Sequence, residues 1–517
     1  MNWFDSWALT LTVLIPAVGA LVVMLVPRTE EASIKWIALL ATLAPLAVTV
    51  GIMFRFKYSQ SSRLQFDVNR PWIDVINSHY HVAVDGISLP MLVLSAFITV
   101  LCVIYSWNHF PEPHNPKAFL ALILILEVGM NGTFIAQDLI LFFVFFEIVL
   151  LPMFFMIGVW GGPNRQYASI KFFLFTLFGS ALMLLGFLAL YFKVNVNPGG
   201  AVQHSFDMVL LTKAAGAGVV KSTQVLIFGA MFLGFAIKVP MFPFHTWLPD
   251  AHTEAPTVGS VLLAAILLKL GAYGFIRIAL PMLPEAAKDW APYIGGLAVI
   301  GIIYGALGCL AQKDMKRLIA FSSVAHMGFV MLAIATMTSF GINAAIFGMV
   351  AHGLITGMLF FIAGSVQHNY GTREMSRLGG LLTQAPKMGW ILGFCVMASL
   401  GLPGLAGFWG EFPAILSAFN PAHGLSQPLF RFYMVVAAVG TVFAAGYLLW
   451  MLQKVAFGEP KPEFADAHVH DVTSFEWTAW APMLALIVAL GVFPDLVFHV
   501  TDGAVTHVTN AIAAVIK

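Results

Sequence analysis

Apolar runs of about 20 residues recur along the whole chain, and they constrain its fold more than any other feature. A helix needs about 20 consecutive apolar residues to cross a bilayer, and the sequence contains roughly fourteen such runs in a helical pattern. Hydrophobic residues make up 60% of the 517 residues and charged residues 10%, whereas soluble domains carry about 25% charged residues. The sequence therefore predicts an all-α polytopic membrane protein whose partner is the lipid bilayer.

The positions of the runs divide the chain into parts, with boundaries accurate to about four residues. Polar connections are short except at 55–80, 193–223 and 459–474. We predict helices 1–3 in 1–110, a repeat of helices 4–8 in 111–285, a second repeat of helices 9–13 in 286–458, and a loop with helix 14 in 459–517. The spans lie near residues 3–26, 33–56, 83–106, 115–133, 135–158, 167–192, 224–248, 255–280, 290–310, 315–337, 341–367, 387–419, 430–456 and 475–498.

The seventh span carries an interruption in GFAIKVPMFPFHTWLPDAHTEAP, residues 234–256. Lys238 follows an apolar run, and Pro240 and Pro243 come directly after it. Each proline removes a backbone donor and clashes with the preceding turn, so the helix is predicted to break there. A break frees carbonyl groups and admits water, which suits an ion path through a membrane. The alternative is that Lys238 ends the helix and extends its amine to the interface.

The twelfth span carries a second interruption in SLGLPGLAGFWGEF, residues 399–412. Pro403 stands among glycines, and Glu411 follows the break. Broken helices at matching places in two halves are typical of transporters built from internal repeats. We therefore predict two inverted five-helix repeats, each with one broken helix.

Four ionisable side chains stand inside apolar runs: Glu147, Lys238, Lys269 and Glu411. A charge at mid-membrane costs about 2.5–3.5 kcal/mol on insertion scales, so these groups must face inward, pair or contact water. Two are acids and two are lysines, so the signs allow pairing. A line of such groups can pass protons, and we predict that these four form a proton path.

Three histidines extend the predicted path as supporting relays. His326 and His352 lie in two later spans beside small or hydroxyl-bearing residues, and His245 lies in the first break. A neutral imidazole is cheaper to bury than an ion and can carry protons. For His326 and His352 the alternative of a hydrogen-bonded core histidine carries equal weight.

Metal and cofactor sites are not expected in this chain. His245, Asp250, His252 and Glu254 are possible metal ligands, but the prolines among them predict no helical face that would bring them together. The cysteines, at positions 102, 309 and 395, form no CxxC pair, which argues against an iron–sulfur or zinc site.

Charge indicates the partners and the orientation. A net charge of +1 excludes an electrostatic surface for nucleic acid. The short odd-numbered loops hold more Lys and Arg than the even-numbered ones, and basic loops tend to stay in the cytoplasm. Both termini are therefore predicted on the opposite, periplasmic side of a bacterial inner membrane.

Several long motifs resemble the antiporter-like subunits of proton-pumping NADH:quinone oxidoreductase, respiratory complex I. The same superfamily includes multi-subunit Na+/H+ antiporters and membrane-bound hydrogenases. The resemblance covers nearly the whole chain. Its motifs are VDGISLPMLVLSAFI (84–98), FFEIVLLPMFFMIGVWG (145–161), KVPMFPFHTWLPDAHTEAPTVGSVLLAAILLKLGAYG (238–274), MKRLIAFSSVAHMGF (315–329) and YLLWMLQKVAFG (447–458).

Three features resemble the M-type subunits in particular. An acid, Glu411, follows the second break where the L-type, N-type and antiporter chains generally carry lysine. Gly357 stands where L-type and antiporter chains tend to have a lysine after the histidine. The chain also ends after about fourteen predicted helices, without the long lateral helix of the L-type.

The resemblance implies roles for the buried charges. Glu147 resembles the helix-5 glutamate that pairs with the helix-7 lysine, here Lys238, while Lys269 resembles the central helix-8 lysine and Glu411 the last acid of the path. His326 and His352 resemble parts of the connecting hydrophilic axis.

The resemblance also implies a division of labour within the complex. Electron transfer is expected in partner subunits that carry FMN and iron–sulfur clusters, and proton translocation in this chain beside the L-type and N-type chains. Three alternatives remain open: a Na+/H+ antiporter subunit, a membrane subunit of a hydrogenase-type complex, and a scaffold whose charges only fix helix packing.

Overall fold

The computed structural model describes residues 3–197, 199–465 and 469–516. Two strands, β1 (Gln65–Ile73) and β2 (Ser78–Val84), form one antiparallel hairpin. All other long elements are helices: α1 (Trp3–Leu25), α2 (Glu31–Arg55), α3 (Ser88–Ser106), α4 (Pro116–Ile135), α5 (Leu139–Trp160), α6 (Arg165–Lys193), α7 (Lys221–Lys238), α8 (Trp247–Glu254), α9 (Thr257–Met282), α10 (Pro284–Leu310), α11 (Met315–Ala335), α12 (Ser339–Tyr370), α13 (Pro386–Ser399), α14 (Ala406–Ser417), α15 (Gln427–Ala456), α16 (Ser474–Val492) and α17 (Asp495–Val515).

The helices confirm the predicted all-α polytopic fold. Within the described residues, 12 helices are long and apolar enough to cross a membrane. The two remaining predicted spans are each divided into two shorter helices, α7 with α8 and α13 with α14. The count of fourteen spans therefore stays a prediction, because it depends on how these divided segments sit in the bilayer.

The first break lies where the prolines predict it. α7 ends at Lys238, and α8 begins at Trp247. The carbonyl groups that the break frees find partners within the loop: the Trp247 indole donates to the Ile237 carbonyl at 2.9 Å, and the Met241 N–H donates to the Ala236 carbonyl at 2.9 Å. These bonds let an interrupted backbone remain buried.

One expectation about this stretch is wrong. The sequence predicts no helical face across Asp250, His252 and Glu254, yet all three lie in α8. Pro249 is the third residue of α8, in the first turn, where a backbone N–H has no intrahelical partner to lose. A proline there is compatible with the helix that follows.

The second break is also confirmed. α13 ends at Ser399, and α14 begins at Ala406. Between them Gly401 and Gly404 have φ angles of +72° and +94°, in the left-handed region that side chains with a Cβ rarely adopt. The glycines around Pro403 are therefore needed by the turn itself.

The bundle has two different ends. The hairpin, the segment 199–220 and α17 lie at one end, which we call the hairpin face; the Asn77 amide donates to the His204 carbonyl at 3.0 Å and joins the hairpin to that segment. The opposite end, with the loops 161–164, 311–314 and 371–385, we call the basic face. The hairpin lies in a stretch predicted only as a polar connection, and the last predicted span ends early, at Val492, before α17 begins.

Three helices are shielded from lipid by the rest of the chain. In α9, α11 and α12, 94% of the most apolar window is buried, against 39% or less in α1, α2 and α6. A residue on these inner helices can hold a charge away from hydrocarbon only by contacting protein or water. They carry Lys269, His326 and His352.

Candidate functional site

Lys269 lies at the centre of the bundle and is fully buried. Two π-helical turns, Leu263–Leu267 and Phe275–Ala279, flank it in α9. Such turns leave carbonyl groups outside the regular ladder, and the Lys269 amine contacts the carbonyl of Ala264, five residues earlier. The helix therefore supplies a backbone acceptor for a buried amine.

His352 of α12 is the second partner of Lys269. The lysine Nζ lies 2.6 Å from the His352 Nδ1. When the ammonium donates to Nδ1, the ring proton stands on Nε2, and this buried nitrogen has no protein partner. The imidazole can thus accept a proton on the lysine side and release one on the other.

His326 and Glu411 form a second close pair. The Glu411 Oε1 lies 2.5 Å from the His326 Nδ1. The His326 Nε2 lies 3.2 Å from both the Ser399 hydroxyl and the Tyr447 hydroxyl. The His326 ring on α11 thus connects Glu411, on the second divided span, with Tyr447 of α15.

A short gap separates the two pairs. The ring centres of His326 and His352 are 5.9 Å apart. Both rings line a cavity of about 20 Å³ together with Thr356, Ser399 and Glu411, and a space of that size accepts one water molecule. Lys269, His352, His326 and Glu411 therefore form one line across the interior.

Glu147 and Lys238 are neighbours at the other end of the site. Lys238 is 3% exposed at the C-terminus of α7, where the helix dipole favours a cation, and its Nζ lies 4.7 Å from the centre of the Phe146 ring. Glu147 is close enough to interact electrostatically with Lys238, and the Ser180 hydroxyl lies beside it. The structure contains no direct ion pair between the two side chains, so their coupling acts across a gap.

The end of α7 approaches α9 just beyond Lys269. A Cβ atom added to Gly271 would lie 2.7 Å from the Phe235 carbonyl oxygen and 3.1 Å from the Lys238 Cβ. Any side chain at position 271 would push the helices apart. Gly271 therefore permits α7 and α9 to contact each other within one helical turn of Lys238 and Lys269.

His245 lies in the first break but away from this line. It is 3% exposed, stacks on Phe242 and packs edge-on against Tyr304 of α10. Its Nδ1 has no protein partner, and Lys171 is the charge that acts on it. Within the described residues no contact joins it to Lys238 or Lys269.

The structure also buries charges that the sequence analysis did not select. Glu127 of α4 is fully buried, and neither carboxyl oxygen has a protein hydrogen bond. Lys316 is 2% exposed near the start of α11. Glu127 could have been selected from the sequence, because it is a single acid in an apolar run. Lys316 could not, because it stands next to the charged residues of a loop.

Three comparisons with known proteins agree on one family. The model of the family described as "NADH:quinone oxidoreductase/Mrp antiporter, TM" matches residues 136–445, which is more than half of the chain. The model described as "NADH-ubiquinone oxidoreductase chain 4, amino terminus" matches residues 11–133. NADH-quinone oxidoreductase subunit M of Rickettsia prowazekii is 38% identical over 95% of this chain and 96% of its own length.

Solved structures share the whole fold. A chain in respiratory complex I from Thermus thermophilus with bound NADH matches with a TM-score of 0.85 and 27% identity, over 98% of this chain and 100% of that chain. A chain in the Mrp complex from Dietzia sp. DQ12-45-1b matches with a TM-score of 0.83 over 99% of this chain and 100% of that chain. The second match is 18% identical, so it shows the fold alone.

Proposed function

The chain belongs to the NADH:quinone oxidoreductase/Mrp antiporter family, in its subunit M branch, and from this premise we propose how it moves protons. It is a proton-translocating membrane subunit of NADH:quinone oxidoreductase. The proposed path runs from Glu147 and Lys238 to Lys269, then through His352 and His326 to Glu411.

The observation that carries this proposal is the central line of four side chains. Contacts of 2.6 Å and 2.5 Å join Lys269 to His352 and His326 to Glu411, and a water-sized cavity lies between the two histidines. Every member has a side chain of a type that can accept and release a proton, and each is held by groups on other helices. A scaffold needs only paired charges and has no need for a continuous line of titratable groups.

Glu147 controls the first step. The carboxylate favours the charged form of Lys238, and a change in their separation alters how tightly Lys238 holds its proton. Conformational change that accompanies electron transfer in partner subunits would alter that separation. Moving one charge against 100 mV requires about 2.3 kcal/mol, which a change in a poorly solvated charge pair can supply.

Membership of the family supports a proposal for the assembly. We propose that the L-type and N-type chains flank this one and that FMN and iron–sulfur clusters reside in other subunits. The basic face is proposed to lie in the cytoplasm, and both termini in the periplasm of a bacterial inner membrane. The units 111–285 and 286–458 are proposed as the two inverted repeats, each with one divided span.

The test is proton pumping by the intact complex in inside-out membrane vesicles. Glu147→Ala and Lys238→Ala should each abolish NADH-driven acidification, while the assembled complex still oxidises NADH with an artificial acceptor. Glu30→Ala and Lys193→Ala, which change exposed residues of the same types, should pump normally. Normal acidification in the two path variants would refute the proposed path, whereas lost assembly would favour the scaffold.

A sodium/proton exchange function is the competing proposal. The likeness to the Mrp complex leaves it open at the level of fold only, and the 38% identity to a subunit M relative favours the oxidoreductase. Acidification that requires Na+ and persists without NADH would favour exchange.

A further inference from the structure

A groove of about 640 Å³ lies at the basic face, between the pair α1 and α2 and the pair α4 and α5. Below its rim the walls are apolar and come from α1, α4 and α5, with the residues Met24, Ala121, Leu122, Ile125, Phe155 and Val159. Ile125 lies eight residues after Lys117 in α4, so at about 1.5 Å per residue the groove extends about 12 Å along that helix from the rim. An apolar groove of this length, open to the membrane, suits an acyl chain.

The rim of the groove is positively charged. Arg28 follows α1, Lys117 is the second residue of α4, and both line the mouth. Within the described residues neither has a carboxylate partner: the Lys117 Nζ donates to the Val26 carbonyl at 2.7 Å, and Arg28 is exposed and makes no hydrogen bond. α2 and α4 also begin at this rim, and helix N-termini favour anions. The rim therefore offers two cations to an anionic group.

The acid at the rim already has partners. Glu31 is the only carboxylate among the described residues that line the groove. Its Oε1 lies 2.7 Å from the Lys35 Nζ, and its Oε2 lies 3.0 Å from the His114 Nε2. Glu31 thus neither neutralises Arg28 and Lys117 nor offers a vacant acceptor to the ammonium group of a ligand. The rim favours an anionic headgroup over a zwitterionic one.

The α4 side of the rim is held in place by hydrogen bonds. The Trp160 indole, at the end of α5, donates to the Pro113 carbonyl at 2.8 Å and fixes the loop before α4 against α5. Asn115 caps α4 by accepting the Ala118 N–H at 3.3 Å. Because this backbone is ordered without a ligand, binding requires little rearrangement of the chain.

We propose that this groove binds one anionic phospholipid from the leaflet at the basic face. The headgroup phosphate lies between the Arg28 guanidinium and the Lys117 ammonium, and one acyl chain lies along α4 and α5 toward Ile125. The lipid makes no contact with the proposed proton path, so this inference stands or falls independently of that path.

The test is photolabelling of the intact complex in phosphatidylcholine nanodiscs that contain a small fraction of a photoreactive lipid. The lipid carries a diazirine on one acyl chain and either a phosphatidylglycerol or a phosphatidylcholine headgroup, and labelled peptides are identified by mass spectrometry. The phosphatidylglycerol probe should label the groove segments of α4 and α5 more strongly than the phosphatidylcholine probe. Arg28→Gln and Lys117→Gln should each reduce labelling by the phosphatidylglycerol probe about fivefold, which corresponds to about 1 kcal/mol for one cation near a membrane surface.

A matched control separates this site from the general charge of the basic face. Lys313→Gln removes an exposed cation of the same face that does not line the groove, and it should be labelled like the native complex. Labelling is expressed per assembled complex, and the comparison of the two headgroups in the native complex requires no variant.

Three results would overturn the proposal. Equal labelling of α4 and α5 by both probes would show that the groove holds ordinary solvating lipid. No labelling by either probe would show that a neighbouring subunit covers the groove. An equal loss in Lys313→Gln would show that the whole face attracts anionic lipid without a specific site.

Discussion

Lys269 shows how one residue can carry a charge at mid-membrane. Its amine has two acceptors, the Ala264 carbonyl in its own helix and the His352 ring in another. The carbonyl is available because a π-helical turn precedes the lysine. The π-helical turn in α9 thus stabilises the ammonium form of Lys269, and the His352 imidazole can accept its proton.

Glu127 and Glu147 are both buried, but replacement by glutamine should affect them differently. Glu147 lies within electrostatic reach of Lys238, whereas the Asn131 side chain, and no cation, acts on Glu127. A carboxyl group with no counter-charge is stable in such a place only when protonated, and glutamine reproduces its neutral shape. Glu127→Gln should therefore leave pumping and the thermal unfolding of the complex unchanged, whereas Glu147→Gln should abolish pumping.

Acidification of inside-out vesicles measures pumping, and thermal unfolding of the purified complex measures stability. Loss of pumping in Glu127→Gln would place that residue on the proton path.

The sequence predicted the residues of the central line but not their contacts. Glu411 and Lys269 stand out because a charge in an apolar run is rare, so composition alone identified them. The pairing of Lys269 with His352 depends on how α9 and α12 pack, which the spacing of residues does not reveal.

Among the elements, the first break is stabilised in part by the indole group of Trp247. The Trp247 Nε1 donates to the Ile237 carbonyl in a fully buried position. Trp247→Phe keeps the ring packing but leaves that carbonyl without a partner, which should cost about 1–3 kcal/mol. The thermal unfolding temperature of the complex should fall, whereas Trp477→Phe, at a half-exposed site, should leave it unchanged. An equal effect in both variants would contradict this role.

The hairpin is held to the segment 199–220 by His81. The His81 Nδ1 lies 2.8 Å from Asp207, and its Nε2 lies 2.9 Å from Asp67. Burial disfavours the imidazolium, but the hydrogen bonds to Asp207 and Asp67 outweigh burial and raise the pKa of His81 to about 9. The pKa of an unfolded histidine is about 6.5.

Docking of the hairpin should therefore depend on pH. A raised folded-state pKa contributes stability that is complete below about pH 6.5 and is lost as pH rises through about 9. The contribution is on the order of 2 kcal/mol once solvent screening is allowed for. Amide exchange in β2, relative to the intrinsic rate, should accelerate across this range, and His81→Gln should remove the dependence. A pH-independent exchange in the native chain would contradict the charged state of His81.

The two helix breaks could be predicted from the sequence, whereas the hairpin and α17 could not. The breaks at Pro240 and Pro403 could be located because proline acts on its own backbone within one turn. The hairpin could not, because its first strand is mostly exposed and the hairpin is stabilised by the distant Asp207 and Asp138. The last predicted span runs across Pro494 to residue 498, so it includes only the first four residues of α17.

In the whole molecule, the central feature is that the outer helices shield three inner helices from lipid. α9, α11 and α12 are enclosed by the other helices, so the line from Lys269 to Glu411 lies away from lipid. An enclosed line of titratable groups exchanges protons only with water that reaches its ends. The proposed control of proton transfer by Glu147 and Lys238 requires such an arrangement.

The most direct measurement is the number of protons moved per NADH oxidised by the complex that carries Lys269→Met. Methionine is close to lysine in shape but cannot hold a proton, so it interrupts the line and preserves the packing. The account predicts that this ratio falls sharply in assembled Lys269→Met complex, while Lys193→Met, at an exposed position, gives the native ratio. A native ratio in Lys269→Met would show that protons do not pass through this line.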